Sequence, residues 1–73
     1  MAVSRETEEL LRGKFADAFP RLDRRSARLV AAADAWSLGY GGIAAVARAS
    51  GLSRAELVKG LVELGVRPGG EPD

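Results

Sequence analysis

The sequence predicts a small all-α domain of four helices, in which the last two helices form a helix-turn-helix of the homeodomain-like kind. No segment alternates apolar and polar residues as a half-buried strand does. The centre of the chain, LVAAADAW at 29–36, is rich in alanine, the strongest helix former. The stretch IAAVARASGLSRAELVKGLVEL at 43–64 holds two apolar helical patterns separated by a glycine and a capping serine. With 73 residues there is room for one domain, predicted over 1–65.

The first helix is predicted over residues 5–18. Leu11 and Phe15, with Ala18 or Phe19, recur at helical spacing and should face the core. Pro20 ends this helix, because the residue before a proline avoids the α region.

The second helix is predicted to begin after a cap at Asp23 and to run to about Leu38. Leu29, Ala33 and Trp36 fall on one side of it, with Val30 beside them, and we expect this side to face the core. Trp36 is the single tryptophan of the chain, and we expect it to be a core anchor.

The third and fourth helices are predicted over about 42–50 and 54–64. Gly51 falls between them, where the chain turns sharply and where only glycine adopts positive φ at little cost. Ser53 is predicted to cap the fourth helix, and Glu56 three residues later completes a capping box.

Apolar residues on these two helices are spaced to pack against each other. Gly60 lies in the middle of the last helix, where replacement by alanine should stabilise the fold unless a close contact requires the glycine. The predicted contact residues are Val46, Leu52, Leu57 and Leu61, with Leu64 at the end of the helix.

Composition argues against catalysis. The chain has no cysteine and no histidine, which excludes disulfides and zinc sites of the usual kind, and it offers no nucleophile–base pair. Asp17, Asp23 and Asp34 are explained as caps or solvated residues better than as a magnesium site. Gly39–Gly42 lacks the phosphate-loop pattern. We therefore expect no enzyme activity, no cofactor, no metal and no small-molecule substrate.

The chain shows no signal-peptide pattern, and its longest nearly apolar run, 29–33, is too short to span a bilayer. A cytoplasmic protein without a membrane partner is the expectation.

Charge is unevenly distributed along the chain, although the net charge is only +1. Residues 1–20 hold three basic and four acidic groups, a net of −1. Residues 21–59 hold seven basic and three acidic groups, a net of +4, and residues 60–73 hold one and three, a net of −2. The basic excess coincides with the predicted helix-turn-helix and the helix before it, which favours double-stranded DNA as the partner.

In a helix-turn-helix, the first residues of the last helix face the base edges in the major groove. Arg54 is the best candidate base reader, because a guanidinium can bond two acceptors of guanine at once. Lys59 can reach a base or a phosphate. The other residues expected on this side are Ser53, which is also needed for its cap, Ala55, Val58 and Val62.

Further arginines lie before the last helix. Arg48 could contact backbone phosphate or simply face solvent. Arg21, Arg24, Arg25 and Arg28 form a basic stripe around the start of the second helix. Cations oppose the dipole there, which favours phosphate contacts, with Arg25 and Arg28 as candidates. A solvated surface neutralised by nearby acids is the other explanation.

The apolar residues of the last helix support an alternative function. Ala55, Val58 and Val62 are not needed for packing on the third helix, and they can touch a thymine methyl but donate no hydrogen bond. The alternative is a helical protein-interaction or dimerisation module that uses this apolar face. A small free-standing transcriptional regulator is a third possibility.

The run LVAAADAWSLGYGGIAAVARASGLSRAELVKGL, Leu29 to Leu61, resembles the N-terminal region of DDE-type insertion-sequence transposases of the Rhodopirellula type. Those proteins are similar in an alanine-rich helix, then LGxGGI, then VxxATGLSRxTVxxGLxEL. The resemblance covers roughly residues 14–64. The matching residues are Leu38, Gly39, Gly41, Gly42, Ile43, Val46, Ala49, Gly51, Leu52, Ser53, Arg54, Gly60, Leu61, Glu63 and Leu64.

This resemblance implies recognition of the element's terminal inverted repeats, and a catalytic domain of the RNase H type, with a magnesium-binding acidic triad, beyond this chain. The chain would then be an N-terminal fragment or a truncated copy. Residues 66–73, VRPGGEPD, are predicted to be a disordered tail or the start of an interdomain linker. The chain departs from the family pattern at Ala55 and Glu56, where hydroxyl residues are expected, and at Val58, where arginine is expected.

Overall fold

The computed structural model describes residues 3–66, and this part of the chain is helical without a strand. The helices are α1 (Arg5–Ala18), α2 (Arg24–Leu38), α3 (Gly42–Ser50) and α4 (Arg54–Leu64), and a short 3-10 turn (Phe19–Arg21) joins α1 to α2. The predicted all-α class and the predicted helix bounds are confirmed. The predicted tail lies outside the described residues from residue 67 onward.

Side-chain caps fix where three of the helices begin. The Ser4 hydroxyl accepts from the Thr7 amide at 3.1 Å, and the Asp23 carboxylate accepts from the Ser26 amide at 2.7 Å. The Ser53 hydroxyl caps α4 by accepting from the Glu56 amide at 3.1 Å, as predicted. These bonds satisfy amides that have no partner within their own helix.

The central element is α2, because both α3 and α4 pack along it, whereas α1 packs on α3 and on the 3-10 turn. Apart from Arg28, the buried residues of α2 are alanines, and larger side chains from the other helices fill the space over them. The buried apolar residues are Phe15, Ala27, Ala31, Ala32, Ala35, Ala45, Val46, Ala49, Leu57 and Leu61.

Of the residues predicted on the inward side of α2, only Val30 packs against the core. Ala33 is exposed, while Leu29 and Trp36 are only half-buried, so Trp36 is not the core anchor. The alanine side of α2 faces inward instead, where α4 approaches Ala32 and α3 approaches Ala35 so closely that an added Cβ at Gly60 or Gly42 would clash. Leu64 is also outside the core, with 42% of its surface exposed.

The turn between α3 and α4 occupies residues 51–53. Gly51 has φ +80°, and its amide donates to the Ala47 carbonyl at 3.1 Å, which ends α3 as predicted. A side chain at this position would meet no heavy atom within 4 Å. The requirement for glycine therefore comes from the backbone conformation and not from crowding.

Gly60 lies where α4 crosses α2, and there crowding does require glycine. A Cβ at this position would lie 2.8 Å from the Ala32 Cβ and 2.9 Å from the Arg28 carbonyl oxygen. Both distances are too short for a real contact, and one of them is to rigid backbone. The structure therefore does not meet the condition, absence of a close contact, under which the sequence predicts that alanine stabilises this position.

No helix within the described part of the chain is both long enough and apolar enough to cross a membrane.

Gly60→Ala should destabilise the fold by about 1–3 kcal/mol, because the added methyl forces α2 and α4 apart. Gly13→Ala is the matched control. Gly13 is exposed in mid-helix with nothing within 4 Å of an added Cβ, so alanine should stabilise by about 0.5–1 kcal/mol. Urea-induced unfolding of the parent and both variants measures the difference. A Gly60→Ala variant as stable as Gly13→Ala would contradict the close crossing.

Gly51→Val should also destabilise, by about 1–3 kcal/mol, because a β-branched residue is strained at positive φ. Thermal melts check this. A variant with the same melting temperature as the parent would mean that residue 51 does not hold the left-handed conformation.

Candidate nucleic-acid interface

One side of α4 is turned away from α2 and the core. It carries Arg54, Ala55, Val58, Lys59 and Val62, which we call the outer face of α4. The spacing i, i+1, i+4, i+5, i+8 places these residues on a common side of a helix. The opposite side holds the buried residues of α4, which are Leu57, Gly60 and Leu61.

The outer face combines two cations with three small apolar residues. Arg54, Ala55 and Lys59 are exposed, Val58 is half-buried, and Val62 keeps 59% of its surface exposed. Within residues 3–66, neither Arg54 nor Lys59 forms an ion pair. The Arg54 charge therefore remains available to an external anion, whereas Lys59 also lies near Glu63 and helps to lower the pKa of that carboxyl.

Ser53 immediately precedes this face, and its backbone is held by the helix cap. Its hydroxyl accepts from the Glu56 amide, so this oxygen serves the fold. The Glu56 carboxylate does not complete the predicted capping box. It accepts instead from the Arg24 guanidinium at 2.8 Å and links the start of α2 to the first turn of α4.

Arg28, predicted to contact phosphate, is buried and serves the fold. Its Nε and Nη2 donate to the two oxygens of Glu63, each at 3.0 Å, and only 8% of the residue is exposed. The paired carboxylate raises the pKa of Arg28, and the guanidinium lowers the pKa of Glu63. This pair joins α2 to α4 and leaves little of the Arg28 side chain accessible to a ligand.

The other arginines of the stripe remain near solvent. Arg25 lies 3.9 Å from the Glu63 carboxylate and has 69% of its side chain exposed. Arg24 has 75% exposed although it bonds to Glu56, and this bond places it beside the first turn of α4. Arg21 is exposed and forms no ion pair with a described residue. The sequence identified this stripe, but which of its members turns inward depends on how α4 crosses α2.

Arg48 has a partner that sequence reasoning missed. Its Nη2 and Nε donate to Oε1 of Glu8, on α1, at 2.8 and 3.1 Å. The hydrogen bond from Arg48 lowers the pKa of Glu8, and the carboxylate raises the pKa of Arg48. The two residues are 40 positions apart. No local sequence pattern could have paired them.

The basic excess of residues 21–59 is therefore partly neutralised in the folded protein. Glu8 and Glu63, which lie outside that segment, pair with three of its arginines. A sum of charges along the sequence overstates the positive charge that this region offers to a ligand.

The described residues were also searched for a metal site and for a catalytic pocket. Within residues 3–66, no group of three or more acidic residues is placed to hold a metal ion. An open groove of about 510 Å³ separates α1 from the end of α3, and it is lined mainly by Phe15, Ala16, Phe19, Pro20 and Ala49. These apolar residues carry no catalytic group.

A comparison of the chain with protein-family models, curated proteins and solved structures finds no match.

Acid should destabilise this fold. The pKa values of Glu8, Asp23 and Glu63 are all lowered, by Arg48, by the Ser26 amide and by Arg28 respectively. A carboxyl whose folded pKa lies below its unfolded value stabilises the fold above the unfolded pKa, and this contribution is lost as pH falls through the folded pKa. The free energy of unfolding should be level from pH 7 to about 5 and fall below about pH 4.

Glu63→Gln should make that acid decline shallower, because one of the responsible carboxyls is gone. Glu9→Gln is the control, since Glu9 is exposed and pairs with no cation in residues 3–66. Urea unfolding of both variants at several pH values tests this. Equal acid sensitivity in the two variants would contradict the role given to Glu63.

Proposed function

We propose that the chain binds duplex DNA, with α4 in the major groove and its outer face against the bases. The observation that carries the proposal is the position of Arg54 and Lys59. They are two exposed cations without an ion pair among the described residues, on one side of a helix that follows a short capped turn. Six other basic side chains of residues 3–66 are paired with acids.

Arg54 is suited to base recognition by its place on α4. It is the first residue of the helix, so its side chain extends from the end that enters the groove in a helix-turn-helix. Its planar guanidinium can donate to O6 and N7 of one guanine. Ala55, Val58 and Val62 then offer methyl groups that fit thymine.

Backbone phosphates would be contacted from both sides of this face. Lys59, on α4, reaches one strand as a point charge. Arg24 and Arg25 extend from the start of α2, and each keeps more than half of its side chain exposed. Arg28 contributes indirectly, by holding α2 against α4 through Glu63.

We further propose that the DNA is the terminal inverted repeat of a mobile element and that the chain is the N-terminal DNA-binding part of a transposase. The support is the LGYGGI and GLSR motifs at 38–43 and 51–54. A cytoplasmic location accompanies this proposal.

The exposed apolar part of the same face favours a second candidate function, self-association. Val62 is 59% exposed, and Val58 and Ala55 lie beside it on the same side of the helix. Two copies could bury these side chains against each other, and the basic residues would then lie at the edge of the contact.

Arg54→Ala should weaken DNA binding by roughly 1–3 kcal/mol and relax the preference at one base pair. Arg5→Ala is the control, since it removes an equal charge from an exposed residue of α1. Fluorescence anisotropy with labelled duplexes at several salt concentrations measures both effects. In the parent, each neutralised phosphate should contribute about −0.9 to the slope of log K against log salt. Equal losses in the two variants would remove Arg54 from base recognition, and absence of parent binding at low salt would refute DNA binding.

Val58→Arg separates the two candidate functions. On a DNA-facing helix the new arginine stays solvated until it meets a phosphate or a base, so the variant should remain monomeric and bind DNA at least as well as the parent. At a dimer contact it would bury an unpaired charge, which is costly. Sedimentation of the parent and the variant measures the oligomeric state of each and distinguishes these two outcomes. A parent dimer that the substitution converts to monomer, without DNA affinity in either protein, would establish self-association instead.

A further inference from the structure

We infer that α1 is an intramolecular competitor of DNA, in which Glu8 occupies Arg48 in the free protein and a DNA phosphate must displace it. This inference rests on the proposed function and adds a regulatory contact to it. Of the predicted phosphate-contacting residues, Arg48 is the one whose guanidinium is held by a residue of α1.

The geometry of the pair is that of a bound anion. Nε and Nη2 of Arg48 both donate to Glu8, at 3.1 and 2.8 Å to Oε1, with Nε also 3.2 Å from Oε2. These two donors form the edge of a guanidinium that takes a phosphate through paired hydrogen bonds. The carboxylate of Glu8 therefore stands where a phosphate would bind.

Arg12 strengthens this arrangement. Its Nη2 donates to Glu8 Oε2 at 3.2 Å, and its Nη1 donates to the Arg48 carbonyl at 3.3 Å. Glu8 is thereby covered, with 17% of its side chain exposed, whereas 58% of the Arg48 side chain remains exposed. The arginine is accessible from outside while its acid partner is shielded.

The start of α1 can release Glu8 without disrupting the core. The apolar contacts of α1 come from Leu11 and Phe15, in its later turns. Most of the residues before them are exposed, and α2, α3 and α4 pack on one another without α1. Displacement of Glu8 therefore requires only the first turns of α1 to move or Glu8 to change rotamer.

Two substitutions remove the competitor in different ways. Glu8→Gln removes its charge, and Glu9→Gln is the matched control for net charge on the same helix. Glu8→Asp keeps the charge but shortens the side chain by one methylene, so any gain in affinity cannot come from a change in net charge. Thermal melts confirm that each variant is folded.

Anisotropy titrations with labelled duplex at several salt concentrations should show Glu8→Gln binding roughly two- to fivefold more tightly than Glu9→Gln, the factor expected for freeing one exposed ion pair. The slope of log K against log salt should steepen by about 0.9, for one added phosphate contact. Glu8→Asp should show a smaller gain in the same direction. In an Arg48→Gln background, Glu8→Gln should give no advantage over Glu9→Gln.

Equal affinities of Glu8→Gln and Glu9→Gln would overturn the inference while leaving DNA binding intact, and so would an advantage that persists without Arg48. Failure of every variant to bind, with all of them folded, would refute the proposed function and the competitor together.

Discussion

The close crossing of α4 over α2 at Gly60 is the contact on which the rest of the structure depends. Because residue 60 has no side chain, the α4 backbone can rest against Ala32 and the Arg28 carbonyl. This approach directs Leu57 and Leu61 inward, where both are fully buried. The helical period then fixes which residues of α4 point outward. The outer face is thus a consequence of how its opposite side packs.

The same crossing decides what the arginines of α2 do. Arg28 is drawn into the contact and bonds to Glu63, while Arg24 bonds to Glu56 at the surface and stays largely exposed. A stripe that looks uniform in sequence is thereby divided into a residue that holds two helices together and residues that face solvent. The acids that pair with these arginines are Glu56, inside the basic segment, and Glu63, outside it. The two cations of α4 without an ion pair therefore describe the charge available to a ligand better than the total charge does.

Features set by neighbouring residues were predictable from the sequence. The helix bounds, the caps at Asp23 and Ser53 and the turn at Gly51 all follow from local patterns, and the structure confirms them. Features that depend on the distance between helices could not be predicted from the sequence. Trp36 was misplaced because the alanine side of α2 faces inward, where α3 and α4 approach closely, and the Glu8–Arg48 pair joins residues that no periodicity connects.

The proposed interface is the outer face of α4, with two unpaired cations beside small apolar residues. A two-dimensional ¹H–¹⁵N NMR spectrum tests it most directly, because it reports on each backbone amide separately. Addition of duplex DNA to ¹⁵N-labelled protein should shift the backbone amides of residues 53–55, 58–59 and 62 and the Arg54 Nε resonance. The amides of the buried side of α2 should shift little. Amide shifts on α4 that depend on protein concentration but not on DNA, or DNA-induced shifts that avoid α4, would contradict the account.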